Sequence, residues 1–318
     1  MVRHTAYVTL PGSNGKGWPR LRWAIKIAAP PGPYGDVWGD VFFASDLSAA
    51  LRRLGQEVRV DRLGEWDQRG AAHDDVNLAL RGLTRFEPIE GAVNLLWVIS
   101  HPDDVTTEEI QSGYDKVFSA GPAWARDMRS AGYDIAPLLQ ATAPHRFRPN
   151  GWRWPRGLPL FVGSTRGIFR PVVRDVLDCG VALRIYGGGW EEFVPAEWIV
   201  AERLANARLP AAYRGATVVL NDHWEDMAKK GFLSNRLFDA VAAGARVISD
   251  DVAGLHEVFG SSVQTYSSQA ELRDLLDPRS SRWPGAAERR GNARRIASLH
   301  SFDLRARELL NAVVHAAN

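Results

Sequence analysis

Residues 23–61 read WAIKIAAPPGPYGDVWGDVFFASDLSAALRRLGQEVRVD. WAIKIAAP (23–30) has the apolar character of a buried strand, and it runs into PGPYGDVWGD (31–40), a loop dense in glycine and proline. VFFASDLSAALRRLG (41–55) then sets Phe42, Leu47, Ala50, Leu51 and Leu54 on one stripe at helical spacing, with Gly55 as a stop. QEVRVD (56–61) is the next strand. Strand, glycine-rich loop, helix and strand make a βαβ unit, and such a crossover implies a parallel sheet.

The same alternation continues. VNLLWVIS (93–100) is a continuous apolar run, as expected of a strand covered on both faces, and it ends at HPDD (101–104). DKVFSAG (115–121) and DIAPLLQ (134–140) predict further strands, separated by a short helix through Trp124 and Met128. ATAPHRFRPNGWRWPRG (141–157) is rich in proline, arginine and tryptophan and has no period, which suggests an interdomain connection. Alternation then restarts with LPLFVG (158–163), a helix around 168–179, VALRIYGGGW (181–190), a helix near 208–214 and TVVLND (217–222). A helix at 235–243, ARVISDD (245–251), a strand near 263–266, and helices at 271–277 and 285–316 complete the chain. The expected fold class is α/β: two doubly wound, Rossmann-like domains, residues 1–148 and 149–318, facing across a cleft.

Composition narrows the function. The chain has 318 residues, of which 45% are hydrophobic, and its 39 basic side chains nearly balance 37 acidic ones. The densest basic run, RRGNARR (289–295), has the spacing of a solvated helix face, so no nucleic-acid partner is expected. A lone cysteine, Cys179, excludes a disulfide framework and a cysteine-rich metal site and fits a reducing, cytoplasmic setting. The N-terminal stretch lacks an apolar core of signal-peptide length, and no segment approaches a membrane span. Peripheral membrane contact stays open. Twelve tryptophans is a high count; most belong in cores, although carbohydrate sites also use aromatic faces.

In doubly wound sheets ligands bind beyond the carboxyl ends of the strands, which directs attention to three loops of the second half. FVGSTRG (161–167) holds Gly163, Ser164, Thr165 and Arg166; IYGGGW (185–190) holds Tyr186, Gly187, Gly188 and Trp190; GFLSNR (231–236) holds Ser234, Asn235 and Arg236. A helix starting at 235, with Ser234 as N-cap, offers free N–H groups and a dipole to an anion. Arg166 and Arg236 would add charge-assisted bonds to phosphate oxygens. Asp239, one turn into that helix, suits the two hydroxyls of a ribose. These residues equally fit a plain reading: a helix cap, a surface cation and its dipole complement. The spacing GGG (187–189) is not that of a dinucleotide fingerprint, no phosphate-loop lysine motif is present, and the histidines do not fall at metal-ligand spacing.

Taken in order, these pieces resemble the GT-B nucleotide-sugar glycosyltransferases, most closely the retaining group 1 type and its bacterial spore-maturation (CgeB-like) relatives. The resemblance covers roughly residues 23 to 310. WGDVFFASDLSAALRRLGQEVRV (38–60) is similar to the family's first glycine-rich loop, helix and strand, and PLLQATAPHRFRP (137–149) to its hinge. FVGSTRG (161–167), LPAAYRGATVVLND (209–222) and GFLSNRLFDAVAAGARVISDDVAGLHEVFG (231–260) are similar to the successive parts of its donor-binding domain. The resemblance implies transfer of a sugar from a nucleotide-diphosphate donor to a hydroxyl acceptor, a carbohydrate or small molecule, with retention and with neither metal nor cofactor. It implies that His101 lies near the donor sugar, that Asp239 is the ribose ligand, and that Trp38, Gly39 and Asp40 face the acceptor. The family's Glu-x7-Glu signature is altered: Asp239 stands at the second glutamate and Gly231 at the first, so the sugar contact made there either comes from Asp226 or Glu225 or is absent. Two other functions share this architecture: a nucleotide-sugar 2-epimerase, and an inactive sugar-nucleotide-binding partner protein.

Overall fold

The protein is described here by a computed structural model covering residues 18–66, 73–154 and 157–316. Its chain divides into two compact units. Met1–Leu139, Lys230–Phe232 and Phe302–Asn318 form the first; Gln140–Lys229 and Leu233–Ser301 form the second.

The first unit contains β1 (Arg22–Lys26), α1 (Gly39–Arg53), β2 (Glu57–Asp61), β3 (Val76–Arg81), β4 (Val93–Val98), α2 (Thr107–Ile110), β5 (Lys116–Ser119), α3 (Pro122–Ser130) and β6 (Ile135–Pro137). Its strands form one parallel sheet in the order β2-β1-β3-β4-β5-β6. Every residue of β3 and β4 is buried, which is why VNLLWV is an unbroken apolar run. Residues 76–81, which the apolar pattern does not single out, supply β3 at the centre of the sheet. Asn77 and Arg81 interrupt their hydrophobic run although both are buried. Phe43 of α1 meets Trp97 edge to face at 5.3 Å and Phe302 at 4.8 Å. The C-terminal helix Phe302–Ala316 thus closes this core, adding Ala306, Leu309, Leu310 and Val313.

The second unit contains β7 (Leu160–Val162), α4 (Pro171–Asp178), β8 (Arg184–Tyr186), β9 (Ile199–Ala201), α5 (Leu209–Gly215), β10 (Val219–Leu220) and α6 (Glu225–Lys229). It continues through α7 (Asn235–Ala242), β11 (Val247–Ile248), α8 (Leu255–Phe259), β12 (Val263–Gln264), α9 (Gln269–Leu276) and α10 (Ala286–Leu299). Its parallel sheet runs β12-β11-β10-β7-β8-β9. This is the order of a dinucleotide-binding Rossmann sheet, and its direction reverses between β7 and β10, where such sheets open a ligand crevice. Phe161, Val173, Val176, Ile185, Trp190, Leu220 and Leu272 are core residues beneath that edge.

One expected element divides. Residues 285–316 are not continuously helical: α10 stops at Leu299 and the last helix starts at Phe302. Between them the His300 carbonyl accepts the Thr142 N–H at 2.8 Å, and Thr142 and Ser301 form a parallel bridge. A carbonyl turned toward Thr142 is lost to the helical ladder.

Candidate functional site

The loops after β7 and β8 are joined backbone to backbone. Gly163 N–H donates to the Tyr186 carbonyl at 2.7 Å, and a Cβ on Gly187 would stand 2.0 Å from the Gly163 oxygen. Trp190, fully buried, donates its Nε1–H to that same Gly163 oxygen at 2.9 Å and packs edge to face on Phe161 at 5.4 Å. Trp190 is therefore a pillar beneath the loop. Thr165 is buried too: its N–H donates to the Gly188 carbonyl at 3.2 Å, and its Oγ1 accepts the Gly167 N–H at 3.3 Å. Ser164 stays exposed, and its carbonyl accepts from Arg170 Nη1 at 3.0 Å.

Three guanidinium groups collect at this edge. Arg166 has left-handed backbone (φ 61°), unusual for a non-glycine residue, and its guanidinium lies 4.0 Å from the centre of the Trp224 ring. Arg170, at the start of α4, is buried and bonded to both carboxylate oxygens of Asp222, with Nε to Oδ2 at 2.8 Å. Arg236, in the first turn of α7, donates to the Val162 carbonyl at 2.6 Å and to Asn221 Oδ1 at 3.0 Å, with its guanidinium 5.1 Å from the Phe161 ring centre. Burial pushes the Arg166 pKa down to about 9, and the neighbouring Arg170 and Arg236 push the same way. Burial also lowers that of Arg236. Arginine keeps its proton in ordinary conditions, so these depressions describe cations held away from water beside one another. Among the described residues only Arg170 of the three is ion-paired, with Asp222, while Asp222 and Asp250 act on Arg166 from further off.

Ser234 occupies the N-cap position of α7, but its side chain does not cap. Instead Ser234 Oγ donates to Asn221 Oδ1 at 2.7 Å, and Ser234 N–H donates to His223 Nε2 at 3.0 Å. The expected cap is diverted because Asn221, at the end of β10, competes for the hydroxyl. Asp239 is buried; it accepts from Thr142 Oγ1 at 2.7 Å and from Asn235 Nδ2 at 3.0 Å. Asp226 Oδ1 accepts the Met227 N–H at 2.8 Å at the start of α6, while Glu225 is exposed and paired with Lys229 at 2.6 Å.

The structure thus gathers Gly163, Ser164, Thr165, Arg166, Tyr186, Gly187, Gly188, Ser234, Asn235, Arg236 and Asp239 along one edge of the second sheet. It adds Arg170, Asn221, Asp222 and His223, which motif spacing does not pick out. For the last three the one signal is the abrupt change from TVVL to NDH at the end of β10; Arg170 has none.

In the first unit, His101 follows β4 with left-handed backbone (φ 50°, ψ 54°), and its Nδ1 lies 2.9 Å from Ser100 Oγ. The turn after it is held from two directions. Arg81, paired with Glu109 at 2.8 Å, donates to the Asp104 carbonyl at 2.6 Å, and Lys230 bonds the Pro102 carbonyl and the Asp103 carboxylate. Trp38, Gly39 and Asp40 stand at the N-terminal end of α1.

Comparison with known proteins agrees with this geometry. Residues 165–311 match the family model Glyco_trans_1_2, described as glycosyl transferase-like. No curated protein sequence matches. Among solved structures, AviGT4, a glycosyltransferase involved in avilamycin A biosynthesis, is similar at 18% identity and a TM-score of 0.59, covering 93% of this chain and 98% of its own. Sucrose-phosphate synthase from Thermosynechococcus elongatus is similar at 13% identity and a TM-score of 0.65, covering 94% and 100%. A putative UDP-N-acetylglucosamine 2-epimerase from Listeria monocytogenes is similar at 12% identity and 0.56, covering 92% and 96%. No helix among the described residues is long and apolar enough to cross a membrane. Residues 165–311, which start within the arginine-bearing loop, thus match a glycosyl transferase-like family, and the pair of Rossmann-like parallel sheets is the GT-B fold shared with these solved glycosyltransferases.

Proposed function

We propose that this glycosyltransferase takes its sugar from a nucleoside-diphosphate donor bound at the β7/β10 edge of the second unit and passes it to a hydroxyl acceptor. The observation that carries this reading is charge: three guanidinium groups, of which only Arg170 is ion-paired, collect at the sheet's switch point. A diphosphate supplies the missing negative charge. Arg166 and the amides at the start of α7 neutralise the charge that builds on the leaving diphosphate, so stabilisation grows toward the transition state. Arg236, fixed by Val162 and Asn221, sets the position of that cationic wall. Because protein cations do this work, no metal is required. Asp239, whose carboxylate is held by Thr142 and Asn235, is the acceptor we assign to the ribose hydroxyls. The first unit carries the acceptor side, with Trp38, Gly39, Asp40 and His101. Retention of configuration follows the family resemblance.

A thermal-shift screen of UDP, GDP, dTDP, ADP and CMP sugars identifies the donor, and product analysis with the hit follows. Stabilisation by a nucleoside-diphosphate sugar, with transfer undiminished by EDTA, is the expected result. Epimer formation without acceptor would assign the chain to the epimerases. Binding without any turnover would make it an inactive sugar-nucleotide-binding protein.

A further inference from the structure

The second unit carries a further group of cations, away from the donor loops. Residues 135–174 contain no aspartate or glutamate. Within that stretch the segment 148–154 lies along α5: Trp154 N–H donates to the Ala211 carbonyl at 3.3 Å, and a Cβ on Gly215 would stand 2.7 Å from the Trp154 oxygen. Arg214, next to last in α5, donates from Nε to the Trp152 carbonyl at 2.9 Å and from Nη1 to the Arg148 carbonyl at 3.0 Å. The segment is thus pinned at residues 148, 152 and 154. Helix α5 ends just before β10, and the segment runs on into β7. This face therefore lies toward the amino ends of those strands, opposite the edge of the donor loops.

What the pinned segment presents to solvent is Trp152, 69% exposed, with Arg148 and Arg153 exposed on either side of it in the chain. Arg148, Arg153 and Arg214 have no ion pair among the described residues. Burial lowers the Arg214 pKa, and the Arg148 charge pushes the same way, so two of these cations feel each other.

Cations gathered without counter-charge repel one another, and an anionic surface relieves that repulsion. An indole left in water on a fixed segment forgoes hydrophobic stabilisation until something covers it. Its best setting is the boundary between lipid headgroups and acyl chains, where the ring face is covered and the N–H stays wet. We propose that Trp152, Arg148, Arg153 and Arg214 dock this unit on a bilayer surface with anionic headgroups. A single-stranded nucleic acid asks instead for a row of rings on which successive bases stack. Trp152 is the one exposed aromatic ring of the second unit among the described residues. The proposal goes beyond the glycosyltransferase reading and does not depend on it.

Vesicle flotation with the full chain tests it, using phosphatidylcholine alone and an equimolar mixture of phosphatidylcholine and phosphatidylglycerol. The chain floats with the mixed vesicles and not with the neutral ones, and added salt weakens the binding. Arg148→Ala and Arg153→Ala each lower partitioning by roughly fivefold, the share of one cation at an anionic surface. Trp152→Ala lowers it as well. Phosphatidylcholine brominated on its acyl chains, mixed with phosphatidylglycerol, quenches the tryptophan fluorescence of the parent and spares Trp152→Phe. All four variants keep the parent's melting temperature, which shows them folded. Failure to float with the mixed vesicles, or flotation unchanged in both arginine variants, overturns the proposal. So does tighter binding to a single-stranded oligonucleotide that is lost in Trp152→Ala, which would assign the patch to nucleic acid. UDP titration of the same preparations keeps the two readings apart: the vesicle result stands or falls whether or not UDP binds.

Discussion

His223 Nε2 accepts the backbone N–H of Ser234 at 3.0 Å, across 11 residues of sequence. That bond is one side of a closed ring. Ser234 Oγ donates to Asn221 Oδ1, Asn221 Nδ2 to Ser249 Oγ at 2.9 Å, and Ser249 Oγ to Asp250 Oδ1 at 2.9 Å. Asp250 Oδ1 lies 2.7 Å from His223 Nδ1, which closes it. Since Nε2 accepts, Nδ1 carries the proton, and the imidazole here is neutral. The ring fixes the N-cap residue of α7 and the Asn221 oxygen on which Arg236 rests. Helix entry and the Arg236 guanidinium are therefore set by one network.

Asp250 gives that network a pH signature. Burial alone would raise its carboxyl, but hydrogen bonds from the His223 ring and backbone N–H and from the Ser249 hydroxyl outweigh it, and the pKa lies below the ordinary value of 3.8. A carboxylate depressed in the fold contributes stability that is complete above its unfolded pKa and disappears as pH falls through the folded one. Asp250→Asn should therefore cost roughly 1.5–3 kcal/mol at neutral pH, the value of a charge-assisted bond. Melting curves of parent and variant should stay apart down to the ordinary carboxylate range and converge only in stronger acid. A constant gap at every pH, or no gap at all, contradicts the assignment.

Arg166 should behave in the opposite sense. A cation whose pKa is lower folded than unfolded costs stability at every pH below the folded value, here about 9. Arg166→Ala should leave the melting temperature unchanged or raise it, while nucleoside-diphosphate affinity falls by roughly ten- to a hundredfold, one charge-assisted contact. Differential scanning calorimetry and titration calorimetry on the same preparation read both quantities. A clear loss of stability with normal affinity would make Arg166 a structural cation.

The contact between Gly163 and Gly187 allows no side chain. Gly187→Ala would force a Cβ to within 2.0 Å of the Gly163 oxygen, so the β7 and β8 loops must separate. Overpacking of this kind costs roughly 1–3 kcal/mol. Because the Gly163 oxygen also receives Trp190, the variant should shift tryptophan fluorescence as well as lower the melting temperature and the nucleotide affinity. Gly188→Ala, where a Cβ would meet nothing within 4 Å, serves as the control.

What the sequence discloses and what it conceals divide along the range of the interactions. VNLLWVIS declares a strand because burial on both faces removes polar residues from a short run. VNLALR does not, since its Asn77 and Arg81 are buried and Arg81 finds Glu109 28 residues away. The glycine loops at 161–167 and 185–190 are legible from local composition. Asn221 and His223 are not, because their partners Ser249 and Asp250 lie 28 and 27 residues further along the chain. Ser234 shows both cases: the start of α7 is readable from its surroundings, but the direction of its hydroxyl is decided by Asn221.

Asp239 distinguishes a ribose ligand from an internal anchor, and the structure sharpens the expectation. Its two oxygens already accept from Thr142 and Asn235, so Asp239→Asn disturbs the fold as well as any ligand. Thr142→Val is the separating variant: it removes the hydroxyl donor at nearly constant shape and leaves the carboxylate in place. If Asp239 holds the ribose, Asp239→Asn weakens nucleoside-diphosphate binding by roughly ten- to a hundredfold, whereas Thr142→Val lowers the melting temperature with much less effect on affinity. A 2′,3′-dideoxynucleoside diphosphate, which has no diol, should bind parent and Asp239→Asn alike. Equal losses of affinity for the ribo and dideoxy ligands would show that the carboxylate acts by holding Asn235 and the first turn of α7, and the donor site would then rest on the arginines and the loop amides.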